Sequence, residues 1–572
     1  MSVVSPAGRR PILGPLIAVL ICTGCLAPFV NKAFTIDDPL FLWAAQHIRQ
    51  HPLDPYGFDV NWYLYPMRMA DVTKNPPLAC YFLALAGRLF GWSETALHAA
   101  FLLPAAGAAW GTYRLAKGLC SRPLLATLAG VLTPVFLVSS TNVMCDTMML
   151  CFWVWSLVCW RRGLERPGWL IVAGVLISLC ALTKYFGVSL IPLLFVYTLL
   201  RSREGANIQA RSAGDGSEHA RRRRFGLVAL LIPVAVLAAY QLLTQWMYDR
   251  GLLLDAIGFS VGAHGEYGSG WLTPLIGLVF TGGCVASVLF YLPLLWPRTP
   301  LLAVLALAAA LLTPLLARPL VAEETRQVSR WLQAAFFLLG GLSVVALAAA
   351  DWLRRRDADA WLLFLWTAGT LTFGMGVNWV INGRSLLPLA PAVGILIARR
   401  LSPRHSARDY MPLVPAAVVA LVVAAADYRQ ADADRDAARR IADACSGQPE
   451  KLWFEGHWGF QYYLQQLGGT ALDQREEYLR FHNGDFLALP GNNSGVLYEP
   501  PAEAAREILR IEQPLSPLAA TMNEQHGAGF YSHVAGPLPF VFAPAAPVRY
   551  RVLRFLTAVD AADSDKTRET ER

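Results

Sequence analysis

The chain has 572 residues, of which 55% are hydrophobic and only 16% charged, with a mean hydropathy of +0.39. That balance excludes an ordinary soluble domain and makes this a membrane protein. The net charge of +8 does not mark a nucleic-acid partner, because Lys and Arg lie mostly between apolar runs.

The first residues, MSVVSPAGRRPILGPLIAVLICTGCLAPFV, set basic groups before an apolar run, as a signal peptide would. The run is about 18 residues long, enough to span, and reads as an uncleaved first helix. Further apolar stretches fall near 95–113, 123–140, 147–160, 168–183, 185–200, 225–246, 271–295, 300–317, 331–350, 360–378, 385–398 and 411–427. Lipid admits only segments that satisfy their own backbone, so these are helices and the expected count is about 13. Cys22, Cys25, Cys151, Cys159, Cys180 and Cys284 lie inside the runs with no His clustered beside them, and read as small packing residues.

With the N-terminus cytoplasmic, the inner segments hold 23 Lys and Arg and the outer loops from 31 to 384 hold 11. The positive-inside rule fixes that orientation in the cell's inner (plasma) membrane. An odd count then sends the remainder to the outer, periplasmic or extracellular, face. The expected division is a transmembrane domain at 1–427, an outer α/β domain at 428–558 and a disordered tail at 559–572. KLWFEG, DFLALP and RYRVLRFL read as strands of that domain and GFQYYLQQLG as a helix closed by Gly.

The outer loop at 31–94 is unusually long for a connection. DDPLFLWAAQHIRQ and PPLACYFLALAGRLFGW within it read as amphipathic helices lying along the membrane, joined by a segment rich in Tyr, Trp, Pro and Asp.

Four features together resemble the GT-C superfamily, integral-membrane glycosyltransferases that use polyprenyl-phosphate-linked sugars. They are the acidic pair Asp37–Asp38 after the first helix, KNPPL at 74–78 opening a surface helix, LFGWSETALHAAFLLPAAGAAWGTYRLAKGL after it, and Asp146 in TNVMCDTMMLCFWVW. The branch resembled is that of the protein O-mannosyltransferases and the aminoarabinose transferase of lipid A, to which LTKYFG and NGRSLLPLAPAVGILIA are also similar. The resemblance runs over about 12–400 and is most specific at 35–200. It departs in two places: Asn75 separates Lys74 from the prolines, and His98 stands where an Arg is common.

The resemblance implies a GT-C fold and a hexosyl or pentosyl transferase that inverts the anomeric centre. The donor is a polyprenyl-phosphate sugar and the acceptor a lipid, glycan or protein on the outer face. Asp37 is implied as the general base, with Asp38 as its partner or a metal ligand, or with the two roles exchanged, and Asp146 as a third catalytic acid. On position alone, the residues of DDP read sooner as a cap for the following helix. A donor phosphate at the outer interface needs cations, for which Lys74, Lys184 and Arg384 are the candidates, with snorkelling as the plainer account. His264 and Glu266 are weak candidates for a divalent metal, being too few ligands to define one. Trp458 and Tyr462 offer rings for sugar stacking, although aromatics at helical spacing more often serve packing. A multispan transporter and an inactive lipid-binding scaffold are the competing functions.

Overall fold

The computed structural model describes residues 12–212, 224–267, 270, 272–297, 324–401, 406–475 and 478–560. The expected span at 300–317 and the tail from 561 lie outside these. Helices dominate as far as Cys445, and short strands follow.

Four described helices are long and apolar enough to cross a bilayer: Tyr185–Glu204, Arg224–Tyr248, Val328–Arg355 and Ala407–Cys445. Two bent pairs pass the same test together, so length and hydropathy give up to six crossings among the described residues and a multi-pass protein. The stretches expected as single helices at 123–140 and 271–295 are these bent pairs. Pro123–Val131 meets Pro134–Ser140 at 65°, and Thr273–Cys284 meets Ser287–Leu295 at 90°. The first bend has a local cause. Pro134 opens the second helix, and the Thr133 hydroxyl accepts from the Phe136 N–H in place of the missing helical partner.

Close backbone contacts set the distance between helices that carry the site. A Cβ on Gly394 would lie 2.0 Å from the Ala126 carbonyl, and one on Gly130 would lie 2.7 Å from the Ala390 carbonyl. Leu389–Arg400 and Pro123–Val131 therefore cross at a pair of small residues, as membrane helices do where backbones must touch. Gly394→Ala is expected to force these helices apart and lower stability by about 1–3 kcal/mol. A thermal melt of the purified protein checks this, with Gly369→Ala, whose Cβ meets nothing, as the neutral comparison.

The surface helices expected in the long loop are present as Asp38–Gln50 and Leu78–Phe90. Between them Asp59–Asn61 and Pro66–Arg68 pair antiparallel as a small hairpin that the sequence did not announce. The helix Leu413–Cys445 runs unbroken through the expected boundary at 427/428. Beyond it, five strands form a mixed sheet in the order 470–471, 452–454, 486–490, 548–555, 505–513. The first three run parallel and the last two join antiparallel, with Tyr550 opposite Pro490 and Ile511. FLALP is apolar throughout because Phe486–Pro490 is covered on both faces. All three expected strands and the helix Trp458–Gln466 are found; the sheet's other two strands, Thr470–Ala471 and the mostly exposed Ala505–Gln513, were missed.

Candidate active site

Asp37 reaches its position through a strained turn. Ile36 has φ +49°, a left-handed backbone that a β-branched side chain disfavours by about 1–3 kcal/mol. Asp38 holds the turn: it is fully buried, and its two oxygens accept from the Thr35 N–H at 3.1 Å and the Val143 N–H at 2.9 Å. Burial pushes the Asp38 carboxyl up to about 7, opposed by nearby Lys32 and by these two N–H groups. Asp37 stands at the N-cap position of Asp38–Gln50, yet its side chain makes no capping bond. It turns instead towards Arg384 and lines a cavity of 840 Å³.

Three charged side chains from distant segments, Asp37, Lys184 and Arg384, meet on that cavity's wall, and buried Asp146 pairs with the two cations from behind it. Arg384 donates through Nη2 to Asp37 Oδ2 at 2.6 Å, and its Nη1 lies 3.8 Å from Asp146 Oδ2. Lys184 Nζ donates to Asp146 Oδ1 at 2.5 Å. Local structure explains each placement. Asp146 is the first residue of the helix Asp146–Gly163, and Lys184 sits in extended backbone between Gly168–Thr183 and the 3-10 turn Tyr185–Ser189. Arg384 belongs to the single turn Gly383–Leu386, capped by the Asn382 side chain on the Ser385 N–H.

The buried Arg384 Nε and Asp146 Oδ2 have no hydrogen-bond partner among the described residues. Buried polar atoms are ordinarily paired, so this is a place where a bound group would complete the network.

Lys74 lines the same cavity. Its Nζ donates to Asp255 Oδ2 at 2.6 Å and to the Asp71 carbonyl at 2.8 Å, and lies 5.2 Å from the Phe259 ring centroid. Arg250 joins this second cluster, 3.1 Å from Asp255 and 3.2 Å from Asp71. Asp255 and Arg250 were missed in the sequence, although a single Asp inside LLLDAIGF was the available signal. Apolar side chains also line the cavity, among them Val188, Pro192, Ile257 and Phe373.

The C-terminal region reaches the turn that carries Arg384. The Gly383 N–H donates to the Phe530 carbonyl at 2.7 Å and the His533 N–H to the Ile381 carbonyl at 2.9 Å. The Tyr531 ring lies 5.7 Å from the Arg384 guanidinium. The Tyr531 hydroxyl donates to Asp427 at 2.9 Å and accepts from Asn142 at 2.9 Å. Fully buried Lys32 ties this group together, 2.5 Å from both Asp427 and Asn142.

Other candidates lie elsewhere. The side chains of His264 and Glu266 fall outside the described residues. No group of three or more His, Cys, Asp or Glu positioned for a metal ion occurs among the described residues. Asp37 and Asp38 themselves face different partners, an Arg and two backbone N–H groups. Tyr462 packs among Phe34, Trp43 and Tyr463, and His98 stacks on Phe34 with its Nδ1 2.8 Å from the Glu94 carbonyl.

An apolar helical bundle with an ion-paired cavity beside a folded C-terminal sheet defines a membrane protein with a site for a charged group. Residues 74–211 match the family model described as dolichyl-phosphate-mannose-protein mannosyltransferase. That stretch contains Lys74, Asp146 and Lys184, and the match agrees with the likeness to GT-C glycosyltransferases carried by the acidic pair, KNPPL and Asp146. Among solved structures, the chain is similar to the Archaeoglobus fulgidus oligosaccharyltransferase tethered with an acceptor peptide (14% identity, TM-score 0.47), covering 80% of this chain and 63% of that one. A second is ArnT from Cupriavidus metallidurans bound to undecaprenyl phosphate (14% identity, TM-score 0.42), covering 84% of this chain and 92% of that one. The archaeal oligosaccharyltransferase AglB from Archaeoglobus fulgidus, in complex with an inhibitory peptide and a dolichol-phosphate, is similar to the same extent (14% identity, TM-score 0.45, 80% and 63%). The chain thus spans less than two thirds of the oligosaccharyltransferase it matches. No curated protein matches it.

Proposed function

We propose that the protein is an integral-membrane glycosyltransferase that moves a monosaccharide from a polyprenyl-phosphate donor to a lipid, glycan or protein acceptor at the outer face. The observation that carries this reading is the convergence of Asp37, Lys184 and Arg384 on one cavity, with buried Asp146 holding the two cations. The apolar residues that also line it suit a donor that carries a lipid chain.

Asp37 is the base. Its Oδ2 is held by Arg384, and Oδ1 has no protein hydrogen-bond partner among the described residues. The acceptor hydroxyl gives its proton to Asp37 as its oxygen bonds to the anomeric carbon, and the bond from that carbon to the phosphate oxygen breaks. Attack opposite the leaving group inverts the centre. The polyprenyl phosphate departs with the electron pair, and Arg384, Lys184 and Lys74 stabilise its charge. Asp146 positions Arg384 and Lys184, and Asp38 fixes the turn that presents Asp37.

The positive-inside orientation, with about 13 crossings, belongs to the same reading. Arg161, Arg162, Arg399 and Arg400 lie at the helix ends remote from the cavity, whereas the C-terminal domain lies on the cavity side.

The test is donor turnover by purified full-length protein supplied with radiolabelled polyprenyl-phosphate sugars and cell-envelope acceptors. The expected result is steady release of polyprenyl phosphate with sugar appearing on an acceptor in the opposite anomeric configuration. Folded protein that consumes no donor in the pool would overturn the reading.

A further inference from the structure

The helix that begins at Asp146 ends in a second polar cavity. Arg162 is 16 positions further on, about 24 Å away at 1.5 Å per residue. The cavity has a volume of 590 Å³ and is formed by the C-terminal turns of Glu94–Leu119 and Asp146–Gly163 together with Leu190–Ser212. It holds five cations, Arg114, Lys117, Arg161, Arg162 and Arg201, against the acids Glu165 and Glu204.

These charges are not equivalent. Arg161 is committed to Asp359, to the Tyr197 hydroxyl and to the Gly118 carbonyl. Arg201 pairs with Glu204, which also accepts from the Ala358 N–H. Arg114, Lys117 and Arg162 make no ion pair among the described residues, and Arg162 rests 4.5 Å from the Trp169 ring centroid. Three uncommitted cations thus edge a concavity at the end of apolar helices, next to a Trp of the kind that seats at headgroup level.

We infer that this cavity binds the phosphate-bearing headgroup of an anionic phospholipid. Its fixed cations meet the phosphodiester, and apolar Leu115, Val158 and Leu164 beside them meet the start of the acyl chains. A lipid fits better than a soluble anion because these residues terminate apolar helices rather than a solvated groove. The inference is independent of the transfer reaction, since none of these residues lines the other cavity.

The test uses the delipidated full-length protein, titrated with phosphatidylglycerol or phosphatidylcholine and read by native mass spectrometry. Wild type is expected to hold phosphatidylglycerol in preference to phosphatidylcholine. Arg114→Gln/Lys117→Gln/Arg162→Gln should bind it about 100-fold more weakly, at roughly fivefold per charge removed. Should the triple variant misfold, Lys117→Gln, an exposed change, should still weaken binding roughly fivefold. Arg354→Gln, at the end of another helix, should leave binding unchanged. Equal binding of the two lipids, or equal losses for Arg354→Gln and the cavity variants, would overturn the inference. So would displacement of the lipid by inorganic phosphate at the same concentration, which would assign the cavity to a soluble anion.

Discussion

Asp37→Asn is expected to reduce sugar transfer by about 10²–10⁴-fold, the usual contribution of a general base, while the protein remains folded and inserted. The argument rests on what Asn preserves. Its amide oxygen can still accept from Arg384 Nη2, now 2.6 Å from Asp37 Oδ2, so the turn and the cavity wall keep their shape. What disappears is a group able to take the acceptor proton. Initial rates, with donor affinity measured separately, separate these effects: kcat falls and donor binding stays within a few-fold of wild type. Full activity in Asp37→Asn would move the base elsewhere.

Asp38→Asn should behave differently. One carboxylate oxygen that accepts a backbone N–H becomes an NH₂ facing it, so the cost falls on folding more than on chemistry.

Arg384→Lys is the second large effect, expected to lower kcat by about 10²–10³-fold with only a modest loss of stability. A guanidinium reaches Asp37 and Asp146 at once and lays its face towards Tyr531; an ammonium on a flexible stem cannot do all three. Lys nevertheless keeps a positive charge beside Asp37 and Asp146, which Arg384→Ala removes, so the alanine variant is expected to lose more stability than the lysine one. Comparing the two variants by rate and by thermal melt therefore distinguishes geometry from charge. If Arg384→Lys transfers at the wild-type rate, the fork geometry plays no part.

Much of this site was legible before any coordinates. The acidic pair, Asp146, Lys184 and Arg384 each interrupt or flank an apolar run, where an ionisable group needs a reason to be. Their meeting was not legible, because Asp37 and Arg384 are 347 positions apart and no periodicity encodes that contact. The different surroundings of Asp37 and Asp38 were hidden for a related reason. They depend on the left-handed backbone at Ile36 and on the Val143 N–H, a partner 105 positions away.

The bends at 131–134 and 284–287 escaped a hydropathy reading because both halves of each run are apolar. Asp255 was passed over because its role appears only once Lys74 is beside it. The hairpin at 59–68 was missed because its strands are three residues long.

The backbone bonds between residues 381–383 and 530–533 have a consequence for biogenesis. Phe530, Tyr531 and His533 leave the ribosome after every helix of the bundle has been made, and at about 5–20 residues per second the stretch from 384 takes on the order of 10 s to synthesise. Until it docks, the turn carrying Arg384 lacks its clasp, although the bundle is already in lipid beside any substrate dissolved there. Synthesis of residues 530–533 thus acts as a timer on the turn that carries Arg384, and a chain that stops short of Phe530 lacks this clasp.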